Sequence, residues 1–240
     1  MKLSDFSKNI YSKFGEDGII EKIFSIINTE SKVCVEFGAW DGIHLSNTAN
    51  LWNNFNWKAI LIEGDPGKIK PINHPNVTFI NSFIDIIGNT IDFILTSNNI
   101  FEIDFMSIDI DGNDYYILEG LICKPKVLSV EFNASIPFWI DCYQEQNGKF
   151  GASLAAITRL GKAKGYSLIS VTDTNAFLVL DELYPLFSSY NTNYNDIACT
   201  NHYCSIITDY SGNHKLIGSL LGNPISDISN STENIILGIK

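Results

Sequence analysis

Basic side chains are scarce in this sequence. Sixteen Lys and Arg stand against 27 Asp and Glu, a formal net charge of −11. A surface of that sign repels phosphate backbones, so nucleic acid is not an expected partner. Cysteines at metal-ligand spacing are also missing. The five cysteines (34, 123, 142, 199 and 204) are odd in number and form no C-x-x-C pair. Cys34, Cys123 and Cys142 lie in or beside apolar runs and read as small core residues, not as a disulfide framework or zinc site. The opening residues, MKLSDFSKNIYSKFGEDG, hold no apolar signal core, and no run is long enough to span a bilayer. There is no internal repeat and no Pro-rich linker. The expectation is a cytoplasmic protein without membrane insertion, with self-association left open.

What is present is a chain of 240 residues, 45% hydrophobic and 12% aromatic, with ample material for a core. The runs KVCVEFG, WKAILIEG, NVTFINS, DFMSIDID and KVLSVEFN are almost continuously apolar, as parallel strands covered on both faces must be. Between them lie helical stretches: EDGIIEKIFSIINTE with its isoleucine stripe, LSNTANLWNNF, TIDFILTSN, DYYILEGLI, and GASLAAITRLGKAKG, which stops at Gly165. YSLISVTDTNAFLVLD reads as two strands joined by a polar turn. This alternation predicts a doubly wound, mostly parallel α/β sheet closed by an antiparallel last strand. Residues 1–187 are expected to form that domain, and the polar stretch 188–240 a C-terminal extension packed on it.

Ligands of such a sheet bind beyond the carboxyl ends of its strands. VCVEFGAWDG is one such end, where Gly38 and Gly42 permit a tight turn and close approach to a ligand. Glu63 closes the next strand about 20 residues on, the separation at which a carboxylate reaches a ribose diol. The pattern is not the G-x-G-x-x-G of a dinucleotide site, and Glu36 and Asp41 would repel a diphosphate. Carboxylates suit a ligand with positive charge, a ribose and no phosphate. S-adenosylmethionine (sulfonium, ammonium and diol) meets that description.

The segments GEDGIIEKIF, VEFGAWDGIHLSNTANLW, WKAILIEGDP, SIDIDGNDYYIL, KPKVLSVEFNASIP and GYSLISVTDTNAFLV, in this order over residues 11–181, resemble the FkbM-type S-adenosylmethionine-dependent methyltransferases. The resemblance implies a class I methyltransferase fold, Rossmann-like with seven strands, and O-methylation, commonly of sugars. Carried over, Glu36, Gly38, Ala39, Asp41 and Ser46 would line the methionine and ribose side. Glu63 and Gly64 would hold the ribose, Asn81, Ser82 and Phe83 would meet the adenine, and Asp109 would face the reacting end. Trp40 departs from the pattern, standing where many class I enzymes have a glycine.

SIDIDGNDYY crowds Asp109, Asp111, Asn113 and Asp114 at a strand end. Asn113 or Asp114 is expected to cap a helix beginning at Tyr115. Asp109 and Asp111 are candidates for the general base, or, with Glu131 and Asn133, for ligands of Mg2+ or Mn2+ as a second cofactor. His44 beside the glycine turn and His202 in the tail are the other catalytic candidates, while His74 and His214 read as surface residues. Asn133, Ser135, Trp139 and Tyr143 offer amide, hydroxyl and aromatic groups suited to a sugar. The expected acceptor is a small molecule or nucleotide-linked sugar, in surface polysaccharide assembly. A D-x-D glycosyltransferase and a non-catalytic nucleoside-binding domain are the alternatives.

Overall fold

The computed structural model of the chain describes residues 1–198, 204–208, 210–211, 214–220, 223–224 and 235–237. The five apolar runs form β1 (Val33–Phe37), β2 (Lys58–Glu63), β3 (Val77–Asn81), β4 (Phe105–Ile108) and β5 (Val127–Glu131). They pair with one another in parallel. A short strand, β6 (Cys142–Gln144), lies apart from the main sheet. The predicted hairpin is β7 (Tyr166–Val171) and β8 (Asn175–Leu180). The sheet order is β3-β2-β1-β4-β5-β8-β7, with β8 antiparallel to both β5 and β7. The antiparallel strand is therefore the last of this sheet in sequence but sits one place inside its edge. The helices are α1 (Glu16–Ile27), α2 (Ala49–Asn54), α3 (Ile91–Ser97), α4 (Asp114–Gly120), α5 (Leu154–Ala163) and α6 (Tyr194–Ile197). Strands β9 (Cys204–Thr208), β10 (His214–Leu220) and β11 (Asn223–Pro224) form a small second sheet, and β12 (Ile235–Leu237) pairs with β6.

Successive side chains of a strand point to opposite faces, so strands covered on both sides must be apolar throughout. One face carries Val35, Phe37, Ile60, Ile62, Met106, Ile108, Leu128 and Val130 in a core shared with α3, α4 and α5. The other carries Cys34, Ala59, Leu61, Phe105, Val127 and Phe177 in a core with α1 and α2. Ile19, Ile20 and Ile23 of the predicted stripe are fully buried there, and Phe24, Ile26 and Ile27 are partly covered. Each fully buried side chain of this size contributes about 1.5–3 kcal/mol.

One buried charge ties the base of the sheet together. Asp104, at the entry to β4, accepts hydrogen bonds from the Thr29 and Ser31 hydroxyls and the Val33 N–H, and pairs with Lys126 at 2.7 Å. Burial raises its proton affinity, but the Lys126 and hydroxyl partners more than compensate and hold its carboxyl below the ordinary value. Asp104→Ala leaves Lys126 and three donors without their acceptor. It is expected to destabilise the fold by about 3–5 kcal/mol, measured by urea denaturation. Because the folded-state pKa is lowered, this contribution is present at neutral pH and fades as the pH falls through the folded value.

One expectation needs correction. The helix after β4 starts at Asp114, and Asn113 makes no side-chain cap bond. The Asn113 amide is drawn instead to Asn147, donating at 3.0 Å and accepting the Asn147 N–H at 2.8 Å. The segment after β5 contains the strand β6 and packs on the core through Tyr143, which stacks on Tyr115 at 4.0 Å.

Candidate functional site

The strand order reverses beside β1, and there the carboxyl ends of the strands open into a cavity of about 820 Å³. The β1–α2 loop forms one wall. Gly38 adopts φ +71, and a Cβ there would stand 1.8 Å from the Asp109 carbonyl oxygen. Only glycine lets the ends of β1 and β4 meet so closely. Gly42, at φ +79, turns the chain over Leu61 and Ile72, where a Cβ would clash at 2.6 and 2.7 Å. Between them Trp40 sits at φ +50 and remains 47% exposed. A bulky residue in that region costs about 1–3 kcal/mol unless its surroundings enforce it.

Glu63 stands at the centre of this wall. It is buried, and its two oxygens accept the Trp40 N–H at 2.9 Å and the Asp65 N–H at 2.8 Å. Each oxygen retains a lone pair, and the residue lines the cavity with Gly64, Ser82 and Phe83. Glu36 also borders the cavity but is engaged within the loop. It accepts the Ser46 hydroxyl at 2.5 Å, the Thr48 hydroxyl at 2.6 Å and the Asn47 N–H at 2.8 Å. Burial raises its carboxyl above the ordinary range against those three donors. Glu36 and Ser46 thus shape the loop that holds Gly38 and Ala39.

At the end of β4 the acidic residues converge. Oxygens of Asp109, Asp111 and Glu131 all lie within 4.8 Å of one another. Burial, then the charge of Asp111, lifts Asp109 to about 6, while a hydrogen bond from Glu131 restrains it. Burial, then the charge of Asp109, lifts Glu131 far enough that it keeps its proton at neutral pH and donates to Asp109. Behind them Asp114 is buried, accepts the Ile110 and Gly112 N–H groups at 2.9 Å each, and is raised to about 7 by burial and by Asp109. These bonds fix the turn that carries Asp111 at φ +57.

The expected site residues divide. Glu36, Gly38, Ala39, His44, Ser46, Glu63, Gly64, Ser82, Phe83, Asp109, Asp111 and Glu131 line the one cavity. Asp41 does not. It pairs with Lys70 at 2.7 Å and accepts the Ile43 and His44 N–H groups. Burial opposes its ionisation, but these partners hold its carboxyl down at about 2. Asn81 donates to the Glu63 carbonyl and so supports the wall from outside. Asn133 lies outside the cavity too. Its amide accepts from the Ser135 N–H and hydroxyl and donates to the Phe150 carbonyl, so it is not placed with the acidic set, and Ser135 is spent on it. Tyr143 is committed to its tyrosine stack, and Trp139 packs edge-on against Phe138 at 5.0 Å. His202 lies outside the described residues. His74 is half-buried, its ring 5.2 Å from that of Trp52.

Sequence reasoning missed one wall altogether. Lys13, Phe14 and Glu16 reach the cavity from the amino-terminal segment, Thr174 and Asn175 from the β7–β8 turn, and Asn147 from the segment after β6. Glu16 joins the first two groups, since its buried carboxylate accepts the Phe14 N–H, the Thr172 hydroxyl and the Asn175 amide. In sequence it looked like an ordinary acidic residue in a first helical turn. Lys68 also lines the cavity, its ammonium 4.4 Å from the Trp40 ring.

The methyltransferase FkbM domain family matches residues 63–168. No curated protein matches the chain in sequence. Among solved structures, a proposed hemolysin from Lactococcus lactis is similar in fold, with a TM-score of 0.50 at 14% identity over 80% of this chain and 98% of that one. Also similar are the CMeT domain of the citrinin polyketide synthase (TM-score 0.47, 12% identity, 72% of this chain and 55% of that one) and a SAM-dependent methyltransferase from Aquifex aeolicus (TM-score 0.40, 12% identity, 73% and 94%). No described helix is long and apolar enough to cross a membrane.

Proposed function

We propose that the chain, whose residues 63–168 match the methyltransferase FkbM domain family, transfers the methyl group of S-adenosylmethionine to a sugar hydroxyl, in a nucleotide-linked sugar of surface polysaccharide assembly in the cytoplasm. One observation carries the reading. A single cavity joins Glu63 and its glycine-bearing neighbours to the acidic cluster at β4 and to a polar wall of Asn113, Asn147, Thr174 and Asn175. The first half suits the donor. Glu63 has two oxygens for a ribose diol, and the surrounding carboxylates favour a cationic ligand. The second half offers amides and hydroxyls to a polyhydroxylated acceptor.

Bound there, the sulfonium supplies a methyl group already activated for transfer. The chain's own residues must orient the acceptor oxygen, exclude water and take the hydroxyl proton. Asp109 is the base: it lies at the cavity wall, and the neutral Glu131 carboxyl beside it steadies its charge by donating a hydrogen bond. With the donor bound, Asp109 would take the hydroxyl proton as the acceptor oxygen gains the methyl group and the sulfur–methyl bond breaks, leaving neutral S-adenosylhomocysteine. The same three carboxylates also meet the spacing of a divalent-cation site. Activity lost to a chelator and restored by Mg2+ or Mn2+ would select that alternative.

The test is a mass-spectrometric screen. The protein is incubated with S-adenosylmethionine and a panel of nucleotide sugars, and products are read for the gain of one methyl group on the sugar. Methylation only of non-sugar acceptors would overturn the substrate class. Thermal stabilisation by UDP-sugars with Mn2+, and none by S-adenosylhomocysteine, would favour glycosyl transfer instead.

A further inference from the structure

We propose that Trp40 and Phe83 form a two-ring clamp that closes on the adenosine of the donor, with Trp40 the ring that sets its affinity. The inference rests on the donor reading above and adds to it a residue that neither the family pattern nor the strand-end carboxylates supply.

Four observations meet at this point. Trp40 holds a left-handed backbone, φ +50, at a position where glycine would be free of strain. A strained bulky residue persists only where its surroundings enforce it, and such positions cluster at ligand sites. Its backbone N–H is bonded to Glu63, so the ring is anchored one hydrogen bond from the carboxylate that reaches the ribose. On the other side of the same strand end, the Phe83 ring lies over Gly64, where a Cβ would stand 2.9 Å from its Cδ2. Both rings line the cavity, and both stay open to water, Trp40 at 47% and Phe83 at 75%. Two solvated aromatic rings flanking Glu63–Gly64 form a poor surface for an empty protein and a good one for a flat purine, which every aromatic face can stack on.

Lys68 completes the arrangement. Its ammonium lies 4.4 Å from the Trp40 ring centroid and covers one face. Lys70, two residues on, pairs with Asp41 beside Trp40. The connection after β2 is thus pinned twice to the β1–α2 loop. The His44 ring stands 6.1 Å from the indole, tilted by 57°, and Trp40 still keeps 47% of its surface open to a ligand.

The experiment measures S-adenosylhomocysteine binding by calorimetry and by tryptophan fluorescence. Of the four tryptophans, Trp52 and Trp57 are buried, and Trp139 lies outside the cavity. The ligand is expected to quench the wild type and Trp139→Phe alike, and Trp40→Phe is expected to lose the response while binding within a few-fold of wild type. Trp40→Ala should weaken binding by roughly 5- to 150-fold, the loss of one stacking partner. Trp40→Gly should weaken it equally while raising the melting temperature of the unliganded protein, because the backbone strain is relieved. Wild-type affinity in Trp40→Ala, or quenching that persists in Trp40→Phe, would overturn the clamp and leave the donor assignment standing. Absence of binding by the wild type itself would overturn the donor assignment, and the clamp with it.

Discussion

Asp109→Asn is expected to lower the rate of methyl transfer by roughly 10²–10⁴-fold, the usual cost of removing a general base. Cofactor affinity should change by only a few-fold, because the donor half of the cavity is built from the ends of β1, β2 and β3. Burial and the charge of Asp111 hold the Asp109 carboxyl up at about 6, so the basic form is depleted below that pH. The wild-type rate should therefore fall as the pH drops through about 6, and the variant should show no such step. Stability should move the other way. A carboxyl whose folded pKa is raised binds its proton more tightly in the folded chain, so its favourable contribution belongs to low pH and is lost as the pH rises through about 6. Above that pH the Asn variant should be more stable than wild type by on the order of 1–3 kcal/mol. Single-turnover rates and denaturation curves from pH 5 to 8 read both effects. A variant as fast as wild type would remove Asp109 from the chemistry.

Glu63→Ala carries the second large effect. Hydrogen bonds to a charged group contribute roughly 1.5–3 kcal/mol each, so losing the ribose contact should weaken S-adenosylhomocysteine roughly ten- to several hundred-fold. The structure adds a second consequence. Glu63 also accepts the Trp40 and Asp65 N–H groups, and the substitution frees two loop donors at once. The β1–α2 loop should then loosen locally, visible as faster amide exchange at Trp40 and Asp65 with the core strands still protected. Calorimetry on the variant decides the assignment, since an unchanged affinity would remove Glu63 from the donor site.

Much of this was legible in the sequence because it rests on local chemistry. The parallel strands announced themselves as continuous apolar runs, since burial on both faces leaves no polar position. Gly38, Gly42 and Glu63 pointed to a strand-end nucleoside site by residue type and spacing. Asp109, Asp111 and Glu131 were suspect because carboxylates crowded at strand ends are costly without a partner. Asn133, Ser135, Trp139 and Tyr143 looked suited to a sugar; where they sit, beside Phe150, Phe138 and Tyr115 and off the cavity lining, is set by how the segment after β5 folds back.

The sequence alone determined the layers, the strand sequence from β1 to β5 and the carboxylates available at their ends, because these follow from side-chain period and composition. Only the tertiary structure decided which polar groups remain for a ligand. Glu36 and Asp41 sit five residues apart around the same turn, yet one borders the cavity and the other is neutralised by Lys70 from the next connection. Glu16 reaches the site only because α1 packs beside the β7–β8 turn, more than 150 residues away in the chain. Such assignments depend on hydrogen bonds between segments distant in sequence, and no local pattern encodes which donor will find which acceptor.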